Sequence, residues 1–450
     1  MKVYSSKVWT AFFLLVFMIT DLHAQENKRP NILLILADDL GYGDLSCLGG
    51  KDVLTPNIDQ LANKGLQFIN FYANSTVCSP SRASLLSGKY PDMVGVPGVI
   101  RQEKKDSWGY LSEGVELLPS ILQKNNYHTA LIGKWHLGFK QPNLPNDRGF
   151  QLFKGFLGDM MDDYYTHRRG GINWMRQNET TIDPPGHATD LFTQWTIEYL
   201  NERKKQSSPF FLYLAFNAPH FPIQPPSEYL KKVKARIPGI DEKRAMNIAL
   251  VEHMDHGIGQ ILKTLGENGQ LSNTLIIFSS DNGGSIPHSQ SNGNLNGGKQ
   301  DMLEGGIKVP LFMYWEDHIK EGSKQDQLAI MMDIFPTIAE IAGAKIAQQP
   351  DGISLMPFIR QKELNQERTL FWIRREGGNY NGQSYYAARK GNIKILQNQP
   401  FEPFVLYDLS KDPLEKNPMD PKNFPEGQLL KKALMEHIQA SGKIPWQKAD

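Results

Sequence analysis

The 450-residue sequence contains only two cysteines, Cys47 and Cys78. Two thiols make no disulfide framework for a chain of this length, so stability has to come from a large buried core. A single Cys47–Cys78 bridge stays open at this point. Net charge is scarce too, at +1, which excludes a general attraction to nucleic acid or to an anionic membrane surface. Any anionic ligand must then be held by a local cluster. Internal repeats and low-complexity tracts are missing. The apolar run Ala11-Phe12-Phe13-Leu14-Leu15-Val16-Phe17-Met18-Ile19 falls short of the roughly 20 residues a spanning helix needs. It follows Lys2 and Lys7 and precedes the small residue Ala24, the pattern of a secretory signal peptide over residues 1–24. Export without a stable membrane anchor is expected.

What the sequence does have is a series of short apolar runs that end in polar or glycine-rich turns. Asn31–Ala37, Thr129–Ile132, Phe210–Phe216, Thr274–Phe278 and Val309–Met313 lack polar alternation, as strands buried on both faces do. Helical patterns lie between them, around Glu116–Lys124, Leu191–Arg203, Ala245–Leu265 and Met331–Ala342. The alternation predicts an α/β fold, with a mostly parallel mixed sheet flanked by helices over residues 25–345. Beyond the loop at Gln348–Gly352 the segments become shorter and more polar. Thr369–Arg375, Tyr385–Arg389, Ile393–Gln397 and Val405–Leu409, with a helix near Leu429–Gln439, predict a small α+β domain with an antiparallel sheet over residues 346–450. The basic run Lys231–Arg236 reads as a solvated helix face.

In a parallel sheet, function collects at the carboxyl ends of the strands. The first strand runs into Asp38-Asp39, and another ends at Asp281-Asn282-Gly283-Gly284. Each could be a capping or hairpin turn. Together they offer three carboxylates and an amide oxygen, suited to a hard cation such as Ca²⁺ or Mg²⁺. Cys78-Ser79-Pro80-Ser81-Arg82 admits three readings. They are a buried structural cysteine, a thiolate activated by Arg82 and a helix N-terminus, and a substrate for an enzyme that oxidises cysteine to formylglycine.

That stretch resembles the signature of type I sulfatases, members of the alkaline-phosphatase-like superfamily. The resemblance extends to Gly133-Lys134-Trp135-His136-Leu137-Gly138, Asn217-Ala218-Pro219-His220, Leu295-Asn296-Gly297-Gly298-Lys299, Glu304–Pro310 and Leu406–Pro413, in the family's order. Two positions depart from it: Lys308 stands where many relatives have Arg, and Asn296 replaces a residue that is often basic. The resemblance implies hydrolysis of a sulfate ester through formylglycine made from Cys78 by a formylglycine-generating enzyme. One hydroxyl of the hydrated aldehyde attacks sulfur to give a covalent sulfo-enzyme, and the second expels sulfate. It implies one Ca²⁺ per chain, held by Asp38, Asp39, Asp281 and Asn282 with residue 78 as a further ligand. Arg82 then orients the nucleophile, Lys134 and Lys299 bind sulfate, His220 protonates the leaving oxygen, and His136 accepts the diol proton.

For the rest of the substrate, Asp163, Tyr164, Tyr165, His167 and Arg168 combine acidic, aromatic and basic groups suited to a sugar. Trp174, Arg374 and Arg375 are further candidates. Export with polar, aromatic loops points to a sulfated saccharide rather than a steroid or lipid. Two rivals remain: a phosphonate or phosphate ester hydrolase of the same superfamily, and an inactive glycan-binding homologue. A short chain without a disulfide framework leans towards a bacterial periplasmic or secreted enzyme; in a eukaryotic host the lysosome is the counterpart.

Overall fold

The computed structural model describes residues 29–362, 367–376 and 384–447. The expected signal peptide lies outside them. Ten strands form the main sheet: β1 (Asn31–Ala37), β2 (Leu66–Phe68), β3 (His128–Lys134), β4 (Leu152–Phe156), β5 (Met175–Gln177), β6 (Thr180–Thr181), β7 (Phe210–Ala215), β8 (Thr274–Ser280), β9 (Leu311–Tyr314) and β10 (Ser323–Gln325). Their order across the sheet is β10-β2-β9-β8-β1-β7-β3-β4-β5-β6. The central five, β8-β1-β7-β3-β4, are parallel, and antiparallel strands flank them on both sides.

Alternate residues of β1 face opposite layers. Ile32, Leu34 and Leu36 pack with α2 (Cys78–Ser87), α3 (Leu118–Lys124) and α7 (Ile334–Ala342), while Leu33, Ile35 and Ala37 pack with α1 (Pro56–Lys64), α4 (Ala188–Arg203) and α6 (Glu242–Glu267). Both faces are dry, so these strands carry no polar alternation, and that is why they were legible as continuous apolar runs. The predicted basic helix face belongs to α5 (Ser227–Arg236), where Lys231, Lys232 and Lys234 are exposed and Val233 is buried. No helix among the described residues is long and apolar enough to cross a membrane.

Register decides where function can sit. Ala37 pairs with Ser280, Leu36 with Ala215, Ala215 with Gly133, and Lys134 with Phe156. The parallel strands therefore end level, and the segments after them emerge on one edge. Gly133 is needed for this alignment. Its φ is +109°, and a Cβ there would lie 1.9 Å from the Ala215 carbonyl oxygen.

A second, antiparallel sheet follows, formed by β11 (Thr369–Arg375), β12 (Ser384–Lys390), β13 (Ile393–Gln397) and β14 (Val405–Asp408). Ile373, Ala388, Ile395 and Leu406 pack on α8 (Pro425–Ser441); Leu370, Trp372, Ala387 and Leu396 pack instead against Tyr72, Met302, Ile307 and Met332 of the large unit. Each strand thus alternates between its own helix and its neighbour. Trp372 donates its indole N–H to Ala73 O at 2.7 Å.

Candidate active site

Cys78 opens α2, a helix whose ten residues are all buried. Pro80 is tolerated in the first turn, where backbone N–H groups have no helical acceptor, and Gly88 closes the helix at φ +69°. Both cysteines are free thiols, so the Cys47–Cys78 bridge is not formed.

The Cys78 Sγ lies 3.3 Å from Asp38 Oδ1, 3.9 Å from Asp39 Oδ1 and 3.7 Å from Lys299 Nζ. Lys134 Nζ donates to Asp38 Oδ2 at 2.5 Å, and Lys299 Nζ to Asp39 Oδ2 at 2.7 Å. Arg82 Nη2 donates to Asp281 Oδ2 at 2.8 Å and lies 3.5 Å from Asp38 Oδ1. Tyr213, not anticipated from sequence, sits 3.4 Å from Arg82 Nη1. Three carboxylates thus face three cations around one sulfur. Burial alone would raise Asp38, but Lys134, His220, Arg82 and Lys299 hold it well below the usual carboxylate range. Asp281 is lifted to about 7 by burial and Asp38, despite Arg82. The thiol is pushed well above its ordinary value by burial and by Asp38. Arg82 pairs with Asp281 and Asp38 rather than with the sulfur, which speaks against the activated-thiolate reading.

The two histidines differ. His136 is buried and its Nε2 donates to the Ile100 carbonyl at 2.9 Å, a tautomer assigned from that partner, which leaves Nδ1 as a buried lone pair without a donor. Burial, Lys134 and Arg82 hold its pKa well below the normal range. His220 Nδ1 contacts Phe221 O at 2.6 Å, and Nε2 faces Lys299 Nζ at 3.0 Å. Asp39 (φ +64°) and His136 (φ +59°) are both non-glycine residues in the left-handed region, where strain concentrates at functional sites.

This cluster opens into a cavity of about 210 Å³. Its outer lining includes Arg101, Asp159, Arg169, Phe221, His288 and Glu376. The group 163–168 does not line it. Asp163 accepts from the backbone of Tyr165 and Thr166 and from Gln224; His167 is buried against Gly186 O; Arg168 pairs with Asp183; Tyr165 is 46% exposed. Tyr164 is buried, its hydroxyl 2.7 Å from Asn217 O and 2.9 Å from His220 O. It braces the segment that carries His220. Tyr164→Phe is expected to cost about 1–2 kcal/mol of stability and to lower kcat severalfold with KM unchanged, measured by denaturant unfolding and steady-state kinetics. Arg374 is buried on Gln300 and Glu376, Arg375 reaches Ser441, and Trp174 donates to Gln102, so none of the three lines the cavity. Arg101 and Glu376 lie 275 residues apart and meet at 3.4 Å, a pairing no local pattern signals.

The chain matches the sulfatase family over residues 30–344. It belongs to that family. Residues 298–441 also match the C-terminal region of N-sulphoglucosamine sulphohydrolase. Arylsulfatase A of Homo sapiens is 32% identical over 446 residues, covering 86% of this chain and 83% of the relative. N-acetylgalactosamine-6-sulfatase of Homo sapiens is 31% identical over 389 residues, covering 82% and 71%. Among solved structures, Ps i-CgsB in complex with k-i-k-neocarrahexaose superposes with a TM-score of 0.84 at 30% identity, covering 94% of this chain and 95% of that one. This sulfatase is a sulfuric ester hydrolase of the alkaline-phosphatase-like superfamily.

A cation fits the oxygen-rich side of the cluster. Asn282 donates its amide to Asp39 Oδ1 at 2.8 Å, and its buried Oδ1 has no donor, an orphan acceptor on a residue that touches the cluster. The softer corner, between Cys78 and His220, is already taken by the Lys299 ammonium. Asp38, Asp39, Cys78 and His220 bring ligand atoms within 4.8 Å of one another, and the carboxylate side of that group is the part that suits a hard cation. The two departures from the family pattern sit outside this shell. Asn296 donates to Glu415 O, and Lys308 lies over the Tyr42 ring.

Proposed function

We propose that the enzyme removes sulfate from a sulfated saccharide, using formylglycine made from Cys78 and one Ca²⁺. The observation that carries this reading is the buried residue 78 ringed by three carboxylates and three cations. Asp38, Asp39, Asp281 and Asn282 would hold the Ca²⁺, with residue 78 alongside, and the bound ion supplies divalent charge beside the sulfate oxygens. The hydrated aldehyde supplies one hydroxyl to attack sulfur and a second to expel sulfate. Arg82, fixed by Asp281 and Tyr213, orients residue 78. Lys134 and Lys299 bind the sulfate through charge-assisted hydrogen bonds. The Lys299–His220 pair shares the proton delivered to the leaving oxygen. His136, neutral and with a free Nδ1 lone pair, accepts the proton of the second hydroxyl.

The saccharide class is supported by the charged lining of the cavity and by similarity to a structure that holds a carrahexaose. The test is sulfate release from a panel of sulfated mono- and oligosaccharides, using protein co-produced with a formylglycine-generating enzyme. Turnover of at least one sugar sulfate is expected. Turnover of hydrophobic sulfates or phosphonates alone would overturn the reading. Chelation with EGTA is expected to abolish turnover and lower Tm by a few degrees, since a ligand at 100 times its Kd stabilises by about 2.7 kcal/mol. Ca²⁺ should restore both where Zn²⁺ does not, and a Tm indifferent to chelation would remove the ion.

A further inference from the structure

A second cavity, of about 330 Å³, adjoins the catalytic one. We propose that it is a subsite for the sugar residues next to the sulfated one in an anionic oligosaccharide, an inference that rests on the saccharide reading above. Arg101 borders both cavities. Two segments run from one into the other. The first begins at Ile100, whose carbonyl holds His136, and continues through Tyr110; the second begins at His136 and continues through Phe139 and Lys140. A sugar whose sulfate reaches residue 78 therefore has its neighbour directed along this path.

The lining suits that occupant. It is predominantly apolar, with Tyr110, Phe139 and Trp446 offering flat faces for the C–H side of a pyranose ring. Trp446 is braced by stacking on Trp108, with centroids 4.6 Å apart and planes 11° from parallel, so its ring is preorganised. Lys140 places positive charge at the wall, matching a polyanion rather than a neutral lipid. Gln102, which accepts from the Trp174 indole at 3.2 Å, adds a polar amide to the wall.

The test compares kcat/KM for a sulfated monosaccharide and for a trisaccharide carrying the same sulfate, in the parent enzyme, Trp446→Ala and Phe139→Ala. The parent is expected to gain about tenfold with length, the size of one aromatic contact. Either variant should lose most of that gain while turning over the monosaccharide at the parent rate. No gain with length, or a gain that survives both substitutions, overturns the subsite. Failure of the underlying reading looks different, because then no sulfated sugar of any length is turned over. In that event, calorimetric binding of the sulfated trisaccharide to Cys78→Ala decides the matter: binding lost on adding Trp446→Ala upholds the subsite, and no binding overturns it.

Discussion

Cys78→Ser is expected to perform at most one turnover per chain and then stop, with steady-state sulfate release reduced by 10⁴-fold or more, on the order of what removing an essential nucleophile costs. A serine hydroxyl occupies nearly the same volume in the ring formed by Asp38, Asp39 and Lys299, so attack on sulfur remains geometrically available. On the proposed mechanism release does not, because a serine sulfate has no second hydroxyl from which His136 would take a proton. The expected signature is a burst of alcohol stoichiometric with enzyme and a protein mass raised by one sulfate. The unmodified cysteine enzyme should show neither, since burial and Asp38 hold the thiol protonated. Sustained turnover by Cys78→Ser would show that hydrolysis needs no second hydroxyl and would remove the aldehyde from the mechanism.

What made the reactive centre legible was the level ending of the central strands. Asp38, Lys134, His220 and Asp281 each follow an apolar run, and a parallel sheet brings such ends together whatever their separation in sequence. The strands Thr369–Arg375 and Ile393–Gln397 fall where the shorter, more polar segments placed them, and their two faces pack on different partners, α8 and the large unit. The flanking strands β2, β5 and β10 are only three residues long, too short to show a period. Substrate contacts were the harder inference. A polar, aromatic stretch such as Asp163–Arg168 looks the same whether its groups face a ligand or one another. Here Asp163 closes its own turn and Tyr164 braces the His220 segment. The cavity wall comes from single residues far apart in sequence, such as Arg101 and Glu376, and only the tertiary fold selects them.

The same dependence on distant partners makes Lys394→Met the substitution with the largest expected effect on stability. Lys394 is fully buried in β13, donating to Glu304 at 3.0 Å and to Glu415 at 2.7 Å. Tyr72 and Arg389 complete the group around Glu304, and Glu415 accepts from the Glu304 backbone N–H at 2.6 Å. Against burial, Lys394 and Arg389 hold Glu304 down to about 2. Removing the ammonium leaves two buried carboxylates facing each other, a loss of about 3–5 kcal/mol by the usual cost of breaking a buried ion pair. The sign with pH follows from Glu304. Its depressed pKa gives the parent stability that is present above the ordinary Glu value near 4.5 and lost as pH falls through about 2. Glu415 differs: burial and Glu304 already raise it in the parent despite Lys394. In the variant Glu304 is raised as well, so protonation of the pair in acid relieves the penalty. The gap between parent and variant should therefore be widest near neutrality and narrow below pH 4.5, as read by urea unfolding across pH. A gap independent of pH would mean that packing, not charge, is lost. Activity should fall too, because Glu415 also accepts through its backbone from Asn296, and the loop so anchored carries Lys299 to Asp39.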